Sequence, residues 1–199
     1  MSPDALCSTT ISTPLGAMTL VASSKGLRAV RFPGERPDRL ALGPVVDTSQ
    51  ADTVAGSPTR DTAAVAILTS ASTQLLEYFA GDRRTFDLAL DPRGTPFQHR
   101  VWAVLATIPY GHTLTYGEQA TRLGDVQMAR AVGTANGQNP LGIVVPCHRV
   151  IGASGHLTGF GGGLEAKAWL LRHEQGIADL WSSSSPAAST ALANSTGLQ

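Results

Sequence analysis

The sequence has little cysteine: its two cysteines, Cys7 and Cys147, lie far apart in the chain. Two distant thiols exclude a disulfide framework and a four-cysteine zinc site, and they are typical of a reducing compartment. No apolar run approaches the roughly 18 residues that a membrane-spanning helix needs. The first residues, Met1–Asp4, are acidic rather than basic, which is unlike a secretory signal. We therefore expect a soluble, cytoplasmic protein.

An excess of charge of one sign is also missing, because 15 basic residues balance 15 acidic ones. No global field therefore attracts the protein to nucleic acid or membranes, and such a contact needs a local patch. The segment from Arg93 to Val150 has a local excess of arginine over Glu118 and Asp125. This excess is compatible with phosphate contacts, although many solvated surfaces look the same. With 42% hydrophobic residues, the chain has enough apolar side chains for a core.

The first ninety residues predict a small α/β unit. Two apolar runs, Met18–Ser23 and Leu27–Phe32, flank a Ser-Lys-Gly turn and predict a hairpin. The segment 33–58 is rich in Pro, Gly, Asp and Ser and predicts a long loop. Apolar residues at helical spacing predict a helix over Thr62–Ala80, and the alternation in Phe86–Leu90 predicts a strand.

The rest of the chain predicts mostly helices. Thr95 and Thr115 each have a Gln or Glu three residues later, which is the pattern of a helix-capping box. Asp125 is placed to cap a third helix that continues to about Asn136. The second and third helices, joined by a tight glycine turn, form a candidate helix-turn-helix, although an ordinary helical hairpin has the same pattern. A last helix is predicted over Leu164–Gln175, and the Ser/Ala/Thr-rich segment 180–199 is predicted to be disordered.

Cys147 is the candidate reactive residue. It follows Pro146 and precedes His148 and Arg149, and a glycine-rich segment comes shortly after it. Cationic neighbours and an imidazole favour the thiolate, which is the nucleophilic form of cysteine. Glu174 is a candidate carboxylate to orient the imidazole. The alternative is that Cys147 is a small buried hydrophobic residue, which we expect for Cys7.

The sequence around Cys147 resembles the O6-alkylguanine-DNA alkyltransferases, also called methylated-DNA–protein-cysteine methyltransferases. The similarity covers the chain nearly continuously from about Gly94 to Glu174, and more loosely the N-terminal Ser12–Gly16. The segments that carry it are Phe97–Trp102, Ile108–Gly111, Tyr116–Glu118, Arg130–Gly133, Asn139–Pro140, Ile143–Gly155, Gly161–Leu164 and Trp169–Glu174.

This resemblance implies an α+β protein with two domains and a tail. An N-terminal ribonuclease H-like domain would span 1–92, and a mostly helical, winged-helix-like domain would span 93–179. The implied activity is direct, irreversible transfer of an alkyl group from O6 of guanine, and less efficiently O4 of thymine, to Cys147. Each molecule would act once and without a cofactor. The implied partner is double-stranded DNA, bound through the minor groove with the damaged nucleotide flipped out. The protein would be a monomer in solution, and several molecules could bind along DNA.

The resemblance also assigns roles by position. Cys147 would be the nucleophile, His148 the water-mediated base and Glu174 the carboxylate behind it. Asn139 would tie the helix-turn-helix to the active-site segment. Tyr116 would contact the flipped nucleotide, and Arg130 would fill the gap that this nucleotide leaves in the stack. The other implied DNA-binding positions are Gln127, Ala129 and Gly133, and the implied substrate pocket consists of Tyr116, Val150, Phe160 and Gly161.

Two features differ from other members of the family. Some members have a Tyr-Ser pair where this chain has Phe160-Gly161, which leaves its substrate range open. Members that bind zinc use Cys and His ligands near the N-terminus, whereas this chain has only Cys7 and no histidine before His99, so we expect no metal. Two alternatives remain: a sensor of alkylated bases, against which the presence of Cys147 argues, and a cysteine hydrolase that uses Cys147, His148 and Asn139.

Overall fold

The N-terminal half of the computed structural model contains a sheet with a helix packed on it. The structure describes residues 6–35, 40, 42–48 and 61–176. Within these residues the sheet has the strand order β3-β2-β1-β4, in which β1–β3 are antiparallel and β4 lies parallel to β1. The strands are β1 (Leu6–Thr13), β2 (Gly16–Ser23), β3 (Gly26–Arg31) and β4 (Val45–Asp47). The predicted hairpin is therefore confirmed as β2 and β3.

Helix α1 (Thr62–Ala80) has the predicted bounds. The Asp61 carboxylate accepts hydrogen bonds from the backbone N–H groups of Ala63 and Ala64, which satisfies donors that have no partner inside the helix. Gly81 ends the helix with a φ of 87°, a left-handed conformation that glycine adopts without strain. The helix packs mainly on β1 and β2 through apolar residues that include Leu68 and Leu75.

Two predictions in this half are wrong. The long loop predicted over 33–58 includes the short strand β4, whose pairing with β1 is a long-range contact. The strand predicted over Phe86–Leu90 is only an isolated bridge between Leu27 and Leu90. Leu27 exchanges hydrogen bonds with Ala89 and Asp91, and the pairing extends no further. Most of segment 36–60 and all of segment 177–199 lie outside the described residues, so the predictions of loop and tail disorder are not addressed there.

The C-terminal half is mostly helical, so the mixed α+β fold is confirmed. Both predicted capping boxes are present, at Thr95 and Thr115. The third predicted helix begins differently: Asp125 caps a 3₁₀ turn (Val126–Met128), and the α-helix starts only after this turn. The helices are α2 (Pro96–Ala106), α3 (Tyr116–Arg122), α4 (Ala129–Gly137) and α5 (Gly163–Glu174). None of the helices in the described residues is long and apolar enough to span a membrane.

Two short strands bring the site together. Strand β5 (Leu114–Thr115) pairs in parallel with β6 (Val150–Ile151). Because β5 leads directly into α3 and β6 directly follows a 3₁₀ turn at Cys147–Arg149, this pairing places the start of the helix pair beside the cysteine.

Candidate active site

The segment before Cys147 is fixed by hydrogen bonds within one tight turn. The Asn139 side chain donates to the Val145 carbonyl at 2.7 Å and accepts from the Leu141 N–H at 3.0 Å. The backbone N–H of Cys147 donates to Val145 at 2.9 Å. Ile143 has a φ of 73°, which is a strained conformation for a β-branched residue. Asn139 thus joins the end of α4 to the cysteine segment, which is the placement that the resemblance implies.

Cys147 and His148 occupy a 3₁₀ turn in which both residues are buried. Cys147 retains 8% of its accessible surface, whereas His148 retains none. The His148 Nε2 atom lies 2.8 Å from Glu174 Oε1. Nε2 therefore donates its hydrogen to the carboxylate, and Nδ1 is left as the acceptor of a neutral ring. Within the described part of the chain, Nδ1 has no hydrogen-bond partner.

Burial keeps His148 neutral. It lowers the pKa of His148 below its usual value, and the nearby Glu174 carboxylate only partly opposes this effect. The opposite holds for Glu174. Burial alone would raise the pKa of Glu174, but hydrogen bonds from His148 and Arg149 hold it well below the usual range. At neutral pH the pair is therefore a neutral imidazole and a carboxylate.

Arg149 contributes in a way that differs from the prediction. The sequence predicts that Arg149, two positions after Cys147, favours the thiolate. Its guanidinium group instead binds Glu174. Its Nε and Nη2 atoms lie 2.8 and 2.9 Å from the two carboxylate oxygens, which is a bidentate pair. Its Nη1 atom donates to the Ile108 carbonyl at 2.5 Å. The role of Arg149 in this structure is to hold the carboxylate.

Two further groups on Glu174 were not predicted from the sequence. The Tyr78 hydroxyl donates to Oε1 at 2.8 Å, and the Gly111 N–H donates to Oε2 at 3.1 Å. Tyr78 lies on α1 in the N-terminal half, 96 positions before Glu174. No local pattern in the sequence indicates a contact over such a distance.

Lys167 is a buried lysine near Cys147. The sequence did not indicate it as a site residue. Its Nζ donates to the Thr158 carbonyl at 2.6 Å, and it lies 5.8 Å from the centre of the Tyr116 ring. Burial lowers the pKa of Lys167 to about 8, and the nearby Cys147 side chain partly opposes this change. The Tyr116 hydroxyl donates to the same Thr158 carbonyl at 3.2 Å. Burial raises the pKa of Tyr116, so this hydroxyl remains protonated.

Phe160 is the implied substrate-pocket residue that links the site to the N-terminal half. The Phe160 ring lies 6.4 Å from the His148 ring and 5.1 Å, edge to face, from the ring of Phe32. Phe32 directly follows β3 and fits between Gly142 and Gly162, where a Cβ atom at either glycine would come within 2.6 Å of its ring. Val150 is fully buried in β6, and Gly161 is half-buried. The N-terminal half therefore supports the wall that Phe160 forms.

The helix-turn-helix is locked by buried amides. Gln119 on α3 and Asn136 on α4 exchange two hydrogen bonds, of 2.7 and 3.2 Å. Arg130 and Gln127 are exposed, and Ala129 is half-buried at the start of α4. Gly133 faces the Tyr116 ring, at the distance of an ordinary contact for an added Cβ. An alanine at position 133 would therefore fit against the Tyr116 ring without displacing it.

Across the described ranges, 6–35, 40, 42–48 and 61–176, no three or more His, Cys, Asp or Glu side chains are grouped so that they could hold a metal ion. Cys7 is buried in β1. The fold and the site together define a helix-turn-helix protein in which a buried cysteine directly precedes a histidine that is hydrogen-bonded to a glutamate.

Comparison with known proteins identifies the family. Residues 6–92 match the ribonuclease-like domain, and residues 96–176 the DNA-binding domain, of 6-O-methylguanine DNA methyltransferase. The solved O6-methylguanine methyltransferase of Mycobacterium tuberculosis is 43% identical, with a TM-score of 0.70 over 88% of this chain and 96% of that one. The chain therefore belongs to the 6-O-methylguanine DNA methyltransferase family.

Further relatives agree with this assignment. The M. tuberculosis OGT solved in complex with DNA is 43% identical, with a TM-score of 0.71 over 86% of this chain and 94% of that one. The methylated-DNA–protein-cysteine methyltransferase of Mycolicibacterium paratuberculosis is 62% identical over 102 residues, which is 51% of this chain and 62% of that protein. The corresponding protein of Methanosarcina acetivorans is 56% identical over 52% of this chain and 67% of its own length. Against the first of these curated relatives, the chain thus matches slightly less than two thirds of the relative's length.

Proposed function

We propose that this protein repairs DNA by transferring an alkyl group from O6 of guanine, and less efficiently from O4 of thymine, directly and irreversibly to Cys147. The observation that carries this proposal is the buried His148–Glu174 pair directly after Cys147 in the chain, with a neutral imidazole whose Nδ1 has no hydrogen-bond partner in the described residues. The chemistry needs no cofactor. Each molecule acts once because a thioether is stable.

The proposed reaction begins with loss of the Cys147 proton. His148 Nδ1 takes this proton, directly or through a water molecule, and Glu174 stabilises the imidazolium that forms. The thiolate sulfur attacks the alkyl carbon, so that an S–C bond forms as the C–O6 bond breaks. The guanine that leaves takes up one proton, and Tyr116 is the candidate donor because its hydroxyl is protonated. Tyr116 then regains a proton as the His148 imidazolium releases the one it took from Cys147, so that no net charge remains. Asn139 acts indirectly by holding the cysteine segment in place.

The DNA-binding role is proposed for the helix-turn-helix. A base inside a duplex cannot present its alkyl carbon to a thiolate, so the nucleotide must be flipped out at a cost of a few kcal/mol. Arg130 is exposed at the start of α4 and fills the gap in the stack, while Gln127, Ala129 and Gly133 form the approach to the minor groove. Binding in that groove reads little sequence, which suits a protein that searches for lesions.

We also propose how the chain is divided and assembled. The N-terminal domain would span 1–92 and the C-terminal domain 93–179, in agreement with the change from sheet to helices. The protein would act in the cytoplasm as a monomer, with several molecules able to bind along one duplex. Phe160 and Gly161 supply no side-chain hydroxyl at the pocket wall, so binding there depends on stacking and shape.

The direct test uses a duplex with one O6-methylguanine and the intact mass of the protein. The expected result is a gain of one CH₂ per chain, since a methyl group replaces the thiol proton. Cys147→Ser should show no gain, whereas Cys7→Ala, which removes the other thiol, should react like the unaltered chain. An unchanged mass with folded protein, or transfer that survives Cys147→Ser, would exclude the proposal.

The DNA-binding role has its own test. Arg130→Ala should slow repair in duplex DNA by far more than it slows the reaction with free O6-benzylguanine, because only the duplex requires a flipped base. Arg172→Ala removes an exposed arginine from α5 and is the matched control. Equal losses on both substrates would remove Arg130 from its assigned role.

A further inference from the structure

Tyr78 brings the N-terminal half of the molecule to the catalytic carboxylate. Its side chain is fully buried, and its hydroxyl lies 2.8 Å from Glu174 Oε1. His148 Nε2 also lies 2.8 Å from this same oxygen. The two donors therefore share one acceptor atom, so removal of one hydrogen bond changes the strength of the other.

The Glu174 carboxylate has little capacity left for other partners. Its two oxygens offer about four lone-pair positions. Five hydrogen bonds already reach them, from Tyr78, Gly111, His148 and the two Arg149 nitrogens. Each donor that stabilises the charge on Oε1 makes this oxygen a weaker acceptor for the His148 hydrogen.

The Tyr78 hydroxyl is held in place by its ring contacts. Its ring meets Phe86 at 5.6 Å and Tyr110 at 6.1 Å, measured between ring centres. His173, which directly precedes Glu174, lies 5.3 Å from it and hydrogen-bonds to the Tyr78 carbonyl at 2.7 Å. A ring packed on several sides keeps its hydroxyl aimed at the carboxylate.

We propose that Tyr78 is a positioning residue for alkyl transfer: its hydroxyl fixes Glu174 and limits how strongly this carboxylate attracts a proton to His148. This inference rests on the proposed function, in which a neutral His148 must accept the proton of Cys147. It gives the N-terminal half a direct part in the chemistry, in addition to packing.

The surrounding charges agree with this role. Burial and the neighbouring Glu174 both raise the pKa of Tyr78, so the hydroxyl remains a donor at neutral pH. The titratable and charged groups that face the His148–Glu174 pair come from several elements: Tyr78 from α1, Tyr110 from the segment after α2, Cys147 and Arg149 from the 3₁₀ turn, and Lys167 and His173 from α5. Of these groups, Tyr78 is the one that is neutral and shares an oxygen with His148.

The variant Tyr78→Phe removes the hydroxyl and keeps the ring. With one donor fewer, Glu174 Oε1 should attract the His148 hydrogen more strongly, and His148 should become protonated at a higher pH. Only part of the effect of this hydrogen bond is transmitted to the ring, so the midpoint of His148 protonation should move up by about half a pH unit to one pH unit.

The experiment compares Tyr78→Phe with Tyr110→Phe in the full chain. Tyr110 lies in the same aromatic group, but its hydroxyl lies 3.5 Å from the His173 carbonyl and is not bonded to Glu174. For each protein, the single-turnover rate with free O6-benzylguanine and the rate of Cys147 alkylation by iodoacetamide are measured across pH. Thermal unfolding shows whether the variants are folded.

The expected result is that the acid limb of both pH profiles moves to higher pH in Tyr78→Phe and stays in place in Tyr110→Phe. An unmoved limb in folded Tyr78→Phe would overturn the inference and reduce Tyr78 to a packing residue. If the unaltered chain is alkylated by iodoacetamide but does not react with O6-benzylguanine, the proposed function fails while the inference is still tested by the alkylation profile.

A second measurement does not depend on the variant folding. The ¹⁵N chemical shifts of the His148 ring in the unaltered chain should show hydrogen on Nε2 and a ring that protonates only below its ordinary pKa of 6.5. A ring that protonates at or above this value would contradict the inference.

Discussion

At the scale of single residues, the site depends on one carboxylate that holds a neutral histidine and a charged arginine. Glu174 is buried, and the side chains of His148 and Arg149 that bind it are buried as well. A buried charge pair stabilises a protein only weakly, but the loss of one partner leaves the other unpaired at a large cost. The chemistry of His148 and local stability are therefore coupled through Glu174.

Glu174→Gln tests this coupling. The substitution keeps the size of the side chain but leaves Arg149 without its counter-ion, so we expect unfolding to become easier by about 3–5 kcal/mol. Alkyl transfer should also fall, since an amide cannot stabilise the His148 imidazolium. Urea unfolding and single-turnover transfer are the two measurements. A variant as stable and as fast as the unaltered chain would contradict this account of the site.

The low pKa of Glu174 also predicts how stability depends on pH. Its folded pKa lies below the ordinary value of 4.5, so the folded state binds fewer protons than the unfolded state. The stabilisation is fully present above pH 4.5 and is lost as the pH falls toward the folded pKa. Thermal unfolding from pH 7 to pH 3 should therefore decline more steeply in the unaltered chain than in Glu174→Gln. Parallel curves for the two proteins would show that Glu174 does not contribute.

At the scale of elements, the helix pair is fixed by a buried amide pair in addition to apolar packing. Gln119 donates to the Val101 carbonyl and to Asn136, so one side chain joins α2, α3 and α4. Such a network has a single satisfied arrangement, and this specifies the angle between the helices. In the proposed complex, this angle sets where Arg130 stands relative to DNA.

Asn136→Ala should disturb this angle. It leaves the Gln119 amide oxygen without its donor, at an expected cost of about 1–3 kcal/mol. We expect binding to duplex DNA to weaken while the reaction with free O6-benzylguanine changes little, because the His148–Glu174 pair is not touched. Thr134→Ala, an exposed change on the same helix, is the control. If both substrates are affected equally, the amide pair is important for the general fold and not for the orientation of α4.

The elements also show which features can be predicted from sequence. The bounds of α1 and the capping boxes of α2 and α3 follow from residues within one helical turn, so they were predicted correctly. Strand β4 and the single bridge at Leu90 depend on partners far away in sequence. Local chemistry already indicated Cys147, His148 and Glu174 as candidates, and the resemblance to a family added Asn139. The Tyr78 hydroxyl, by contrast, is brought to Glu174 only by the folding of the whole chain.

At the scale of the whole molecule, the two halves share one apolar core. This core includes Cys147 and therefore packs directly against the active-site segment. Phe32 from the N-terminal half packs against Phe160 and fits closely between two glycines of the C-terminal half. It is 5% exposed, so nearly all of its ring is in contact with protein. The pocket wall is therefore supported from the other half of the chain.

Phe32→Ala should show this support. Removal of a buried phenylalanine ring costs about 3–5 kcal/mol, part of which comes from the cavity that is left. Because Phe160 loses the ring it packs on, the reaction with free O6-benzylguanine should slow together with that of duplex DNA. Phe32→Leu, which fills part of the space, should recover stability and rate together. Recovery of stability without recovery of rate would show that the ring shape itself is needed.

The central claim is that Cys147 takes one alkyl group and keeps it. The most direct measurement is peptide mass mapping after the protein is incubated with an excess of duplex that contains O6-methylguanine. We predict one methyl group per chain, on the peptide that contains Cys147, with Cys7 unmodified and the excess lesions unrepaired. Repair of several lesions per chain, or a methyl group on any other residue while Cys147 stays free, would contradict the account.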